Sequence, residues 1–171
     1  MRLDTTMEDG AKSLDAQDLV VFDMAEAAEV ATWVRSADEA FMWCGKADFP
    51  FSAATVASWR EMQESNAFML REGGTLVGYG ELWFDAEEGE VELARLIVAP
   101  SARGKGVGQK LVRNLSEAAK KEGYSSIFMR VHPSNKPALE CYSRSGFSPV
   151  DSADAAAWNA AQPVEYVWLQ G

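Results

Sequence analysis

The sequence predicts an α/β domain, with helices packed on one mixed central sheet. Three observations carry this. Strand-like runs at 67–71, 75–84 and 90–98 are joined by the turn signals Glu72-Gly73-Gly74 and 85–89, as in an antiparallel meander. Beyond Val98 the periodicity alternates between helical (109–121, 134–145) and strand-like (125–131, 147–150, 164–170), a β–α–β–α–β order. Ahead of the meander stand one short strand and two helices.

Taken in order, residues 18–22 predict the first strand. Asp23-Met24-Ala25-Glu26 has capping-box spacing and opens a helix to about Arg35, with Ala27, Val30, Ala31 and Val34 on one face. Residues 41–51 are so rich in aromatics, glycine and proline that no regular element is expected there. Ser52 is placed to cap a second helix running to about Glu64. After the meander, Val107, Leu111, Leu115, Ala118 and Ala119 form one apolar stripe, and Gly123 suits a helix stop. Gly146 is the corresponding stop for the helix at 134–145.

The chain has 171 residues, 47% of them apolar, which suits one compact domain. Residues 1–17 are polar and predict a poorly ordered lead-in, with the domain proper at 18–171. No apolar run approaches the roughly 20 residues that span a bilayer, and the start lacks a signal-peptide core. A cytoplasmic protein without membrane partners is expected. Cys44 and Cys141 are isolated and His132 is the sole histidine, so no metal is expected. The net charge of −10 argues against nucleic acid as a partner.

The chemistry lies in two segments. Arg103-Gly104-Lys105-Gly106-Val107-Gly108 follows an apolar strand ending at Val98 and opens a helix. Such a turn leaves backbone N–H groups unpaired at a helix N-terminus, where the dipole favours phosphate and glycine lets it approach the main chain. It is no P-loop, and Gln109 stands where a dinucleotide fingerprint needs its third glycine. The second segment runs from Asn135 to Phe147. It places Asn135, Ala138 and Tyr142 on one helical face, with Pro137 in the first turn.

Together these segments resemble the GCN5-related N-acetyltransferase (GNAT) superfamily, whose signature is [Gln/Arg]-x-x-Gly-x-[Gly/Ala] followed by Asn-x-x-Ala-x-x-x-Tyr-x-x-x-Gly-Phe. The resemblance covers residues 18–170 and leans toward bacterial small-acceptor or ribosomal-protein-alanine acetyltransferase-like members. It implies a largely antiparallel twisted sheet whose parallel fourth and fifth strands splay around acetyl-CoA, flanked by about four helices. By the same resemblance, the amides of Arg103, Gly104, Lys105, Gly106, Val107 and Gly108 hold the pyrophosphate. The side chains of Arg103 and Lys105 add charge there. Main-chain groups of Leu96, Ile97 and Val98 pair with the pantetheine arm, the Val98 amide facing the thioester carbonyl, and Asn135 closes from the other side. The implied activity is acetyl transfer from acetyl-CoA to a primary amine, by direct attack in a ternary complex. The alternative is a non-catalytic acyl-CoA-binding or regulatory module.

Tyr142 stands where the family's general acid stands. For the base the resemblance offers Glu92, with Glu81 or ordered water as alternatives. The acceptor is expected near Trp43, Phe49, Phe51 and Trp83, with Phe41 and Trp158 as further aromatics, and the protein is expected to be a monomer or homodimer.

Overall fold

The computed structural model describes residues 17–171. The lead-in expected at 1–17 falls almost wholly outside the described residues. One seven-stranded sheet organises the rest, in the order β1-β2-β3-β4-β5-β7-β6. Its strands are β1 Gln17–Val21, β2 Ser65–Glu72, β3 Thr75–Asp85, β4 Glu90–Val98, β5 Ser126–Val131, β6 Ser148–Pro149 and β7 Val167–Gln170. Every neighbouring pair is antiparallel except β4 and β5, which are parallel. The mixed sheet predicted from the pattern is therefore what forms.

Six α-helices flank it among the described residues: α1 Ala27–Thr32, α2 Ala37–Cys44, α3 Ala53–Ser58, α4 Val107–Lys121, α5 Lys136–Arg144 and α6 Ser152–Asn159. Two of them occupy stretches where the sequence predicts no helix. In α2, Ser36 Oγ accepts from Glu39 N at 3.0 Å and Gly45 closes the C-terminus at φ +77°. Buried Ala40 and the packing of Trp43 on Phe51 and Trp59 then hold aromatics of modest helix propensity in a helix. In α6, Asp151 caps Ala153 N at 2.9 Å, and Trp158 packs edge-on against Phe128 and Trp168. The predicted capping box at Asp23 is half formed. Asp23 accepts from Ala25 N, but Glu26 turns away to pair with Arg71 at 2.7 Å. The opening turn is consequently a 3-10 turn, and α1 stops at Thr32 rather than Arg35. The second helix expected from Ser52 likewise closes early, in a 3-10 turn over Trp59–Glu61.

The longest helix, α4, lies across β3 and β4 and buries Val107, Leu111, Val112, Leu115 and Ala119 against them. Close approach there depends on Gly80. A Cβ at that position would sit 2.7 Å from Leu115 Cδ1 and 3.3 Å from Leu96 Cγ, and Leu115 is fully buried. Gly80→Ala is therefore expected to destabilise the fold by about 1–3 kcal/mol through overpacking. Urea denaturation measures it, and an unchanged midpoint would show that the helix can withdraw freely.

Two features of β4 shape what lies above the sheet. Its pairing with β5 extends only over Glu90–Glu92 against Ser126–Phe128, although both strands continue. Beyond that point they diverge into a V. On the other edge, Tyr79 faces Ile97 and Glu81 faces Ala94, so Gly80 stands opposite both Arg95 and Leu96. This is a β-bulge, and Arg95 takes φ +50°, a conformation rare for a residue bearing a Cβ.

Candidate active site

The V between β4 and β5 opens into a groove of about 750 Å³. Leu93 to Val98 line it from one side, Met129 to Val131 from the other, and α2, the 102–109 turn and α5 complete its walls. A smaller cavity of about 490 Å³ on the outer side of α4 shares only Gln109 and Arg144 with it and contains none of the chemistry described below.

At one end lies the glycine turn. Gly104 and Gly106 adopt φ +75° and +78° with open space where a Cβ would be, a backbone that glycine alone adopts cheaply. Gly106 caps α4 without any side-chain acceptor, and the first turn-closing bond is Lys110 N to Gly106 O at 3.3 Å. The amides of Val107, Gly108 and Gln109 thus have no acceptor among the described residues, at the positive end of a 15-residue helix. That donor set fits a pyrophosphate. Gly108 has a second duty, since its Cβ would lie 2.9 Å from Cys141 Sγ, so it also lets α4 and α5 meet.

Arg103 is otherwise engaged. Its guanidinium pairs with Glu39 at 2.7 Å and donates to Val98 O at 3.0 Å and Trp33 O at 3.2 Å, tying α1 and α2 to the end of β4. Lys105 is exposed and forms no ion pair among the described residues. Along β4, Ala99 N donates to Val77 O at 2.9 Å. Alternation then turns the Ile97 amide toward β3 as well, and the Val98 amide toward the open side.

Across the groove, Asn135 caps α5: its Oδ1 accepts from Ala138 N at 3.3 Å, which leaves Nδ2 unpaired among the described residues. One helical face further on, Tyr142 lines the groove with its hydroxyl unpartnered among the described residues. Burial, reinforced by neighbouring Cys141, raises its phenol well above the ordinary value, so it keeps its proton at neutral pH. Cys141 and Cys44 are also pushed up by burial and stay as thiols. His132 Nδ1 accepts from Ser134 N at 3.1 Å and its ring meets Phe41 edge-on.

Both carboxylates raised as candidate bases are bound to arginine. Glu92 makes a two-pronged pair with Arg130, at 2.5 and 2.8 Å, and Arg130 itself stacks near Trp83 and Trp168 and reaches Gln162. Glu81 is fully buried and accepts from Tyr79 Oη at 2.5 Å, Trp83 Nε1 at 2.6 Å and Arg95 Nη1 at 3.1 Å, with Arg60 at 3.7 Å. Of the aromatics expected near an acceptor, Trp43 lines the groove and donates from Nε1 to Arg95 O at 2.8 Å. Phe51 is buried between Trp43 and Trp59, Phe49 is exposed, and Trp83 is held in the Glu81 cluster. Trp158 packs on the far side, against Phe128 and Trp168.

Sequence reasoning passed over Arg95. A signal was present: Glu92 and Arg95 are the charged residues within 91–98, and their odd spacing puts them on opposite faces unless the strand is bulged. Among the described residues no cluster of His, Cys, Asp and Glu is arranged to hold a metal, and no helix is long and apolar enough to cross a membrane.

A sheet parted between its parallel strands, with a glycine turn and an uncapped helix start at one end of the gap, is the architecture of the acyl-CoA-type N-acetyltransferases. The chain belongs to the acetyltransferase (GNAT) family, whose profile matches residues 28–147. It is 27% identical over 143 residues to thialysine N-ε-acetyltransferase of Bos taurus, covering 82% of this chain and 80% of that one. It is 31% identical over 80 residues to the IAA acetyltransferase of Azospirillum brasilense, 47% of this chain and 52% of that one. The match thus spans about half the length of that relative, and 40% of the streptothricin acetyltransferase of Streptomyces lavendulae. Among solved structures, aminoglycoside acetyltransferase AAC(6')-Ib in complex with coenzyme A and kanamycin superposes with a TM-score of 0.72 at 19% identity, over 91% of this chain and 94% of that one. The ribosomal-protein-S18-alanine N-acetyltransferase from Escherichia coli gives 0.58 at 20% identity, over 80% of each.

Proposed function

We propose that this chain is an N-acetyltransferase that uses acetyl-CoA and acetylates a primary amine by direct attack in a ternary complex. The observation that carries the reading is one groove joining the unpaired amides at the start of α4 to the unpartnered Tyr142 hydroxyl. Those amides, with Gly104 and Gly106 admitting the ligand, would hold the pyrophosphate, and Lys105 would add an unpaired cation. The splayed edge of β4 would take the pantetheine arm as an added strand, through backbone groups of Leu96 and Val98. Ile97, whose amide turns to β3, would supply apolar floor instead. Asn135 Nδ2 would donate from the opposite wall.

The neighbouring complexes with coenzyme A or acetyl-CoA support this assignment. The amine nitrogen forms its bond to the acetyl carbon as the carbon–sulfur bond breaks. Tyr142 gives its proton to the departing sulfur, and the amine proton leaves through water. Water suits that role because Glu92 and Glu81 both have their lone pairs engaged by arginine. The two cysteine thiols are protonated, which fits transfer without an acyl-enzyme.

The test is release of coenzyme A from acetyl-CoA against a panel of primary amines, with product mass confirming acetylation. Amine-dependent release is the expected result. Tight binding of acetyl-CoA with no turnover on any amine would instead identify a binding module.

A further inference from the structure

Beside Trp43, the groove is lined by an arginine whose guanidinium is locked in place and only partly used. Arg95 projects from the β4 bulge at φ +50°, with its carbonyl held by Trp43 Nε1 at 2.8 Å. Its guanidinium carbon lies 4.1 Å from the Trp59 ring centre and 4.9 Å from that of Trp83. Only Nη1 is engaged, by both oxygens of buried Glu81 at 3.1 and 3.4 Å. Nε and Nη2 have no hydrogen-bond partner among the described residues, and Arg95 lines the groove.

Charge around the groove is lopsided in a way that the chain's net charge of −10 conceals. Five guanidiniums, those of Arg60, Arg95, Arg103, Arg130 and Arg144, meet four carboxylates, those of Glu39, Glu81, Glu92 and Glu140. Glu39 and Glu140 are the carboxylates among the groove's lining residues, and each is already paired, with Arg103 and Arg144. Glu81 must serve both Arg60 and Arg95, and Arg60 Nε is buried without a partner among the described residues. A polycationic acceptor would find no unpaired carboxylate among the described residues that line the groove. An oxyanion would find two donors of a preorganised fork.

We infer that Arg95 binds an anionic group of the acceptor, so that the substrate is a primary amine carrying a carboxylate, as amino acids do, rather than a polyamine. Arg95 leaves β4 three residues before Val98, roughly 10 Å of backbone at the rise of a strand, and its guanidinium is held by Glu81, Trp59 and Trp83 rather than by the glycine turn. Trp59 and Trp83 flank the guanidinium and hold it in place, and Glu81 and the bulge determine its direction. This rests on the acetyl-transfer reading for the identity of the reaction, but not for the binding of the anion.

The experiment compares amino acids with their decarboxylated amines (leucine with isoamylamine, lysine with cadaverine), and includes spermidine. The carboxylate-bearing member is expected to have a kcat/KM at least about tenfold higher, the range of one charge-assisted contact. In Arg95→Met and Arg95→Lys the ratio should collapse through the acceptor KM, with the KM for acetyl-CoA unchanged. Equal rates for the paired amines, a preference for spermidine, or an Arg95 effect falling on the acetyl-CoA KM would each overturn the inference.

Binding is read separately from the fluorescence of the flanking tryptophans, using N-acetylleucine and its amide as probes. A response to the acid but not the amide, lost in Arg95→Met, upholds anion binding even if no amine is turned over, and that second result would refute the transferase reading alone. No response to either probe, with no preference among amines, sinks the anion site.

Discussion

Phenylalanine at position 142 is expected to lower kcat for amine acetylation by roughly 10²- to 10⁴-fold, the usual contribution of a positioned general acid. The ring packs against the edge of the core, so the substitution keeps that packing and removes only the hydroxyl. The hydroxyl has no partner among the described residues, so its loss leaves no buried group orphaned and no stability penalty is expected. The KM for acetyl-CoA should change little. The sign of the pKa shift adds a second expectation. Because burial raises the phenol, Tyr142 holds its proton throughout the neutral and mildly alkaline range and is lost as an acid only above the ordinary phenol pKa. The wild-type rate should therefore show no alkaline limb from this group below about pH 10. Steady-state kinetics across pH, with both proteins, measure both points. A Tyr142→Phe enzyme with wild-type kcat would remove Tyr142 from the chemistry.

The largest effect on stability is expected at Glu81. Glu81→Gln preserves shape but takes the one carboxylate from a cluster holding Arg95, Arg60, Tyr79 Oη and Trp83 Nε1. Breaking a buried pair by removing one partner costs roughly 3–5 kcal/mol, because the other charge remains out of water. Arg95 and Arg60 retain some solvent contact, so a loss near the lower end, about 3 kcal/mol, is expected. Urea unfolding followed by tryptophan fluorescence reports it directly, since Trp59 and Trp83 stack on Arg95. A loss under about 1 kcal/mol, the size of an exposed ion pair, would show that the cluster is solvated. Glu92→Gln is the useful contrast: its pair with Arg130 is more open, and Arg130 keeps Gln162 and three aromatic rings when the carboxylate charge is gone.

The meander was legible in the sequence because a half-buried strand writes its period locally and Gly73-Gly74 marks the turn, both at positive φ. The α4 stripe was legible for the same reason, at helical period. Helix α2 was not. Its stability comes from Ser36, Gly45 and aromatic contacts to residues well outside it, among them Trp59 and His132. Helix α6 hid likewise in an alanine-rich stretch whose anchor is Trp158 on β5 and β7.

The same division runs through the site. The residues at both ends of the groove, the glycine turn and Tyr142, were readable because each belongs to one short segment whose chemistry depends on spacing within it. The partners of Glu92, Glu81 and Arg103 were not, since Arg130, Arg95 and Glu39 lie on other elements and meet them only when strands pair or helices dock.

By itself, then, the sequence determined the α/β class, the meander, the glycine turn ahead of α4 and the family resemblance, all carried by local backbone preferences and short-range patterns. Only the tertiary structure decided which charged groups are free. A charge in a low-dielectric groove takes its role from its neighbours in space, and those neighbours left the candidate bases engaged and one guanidinium open.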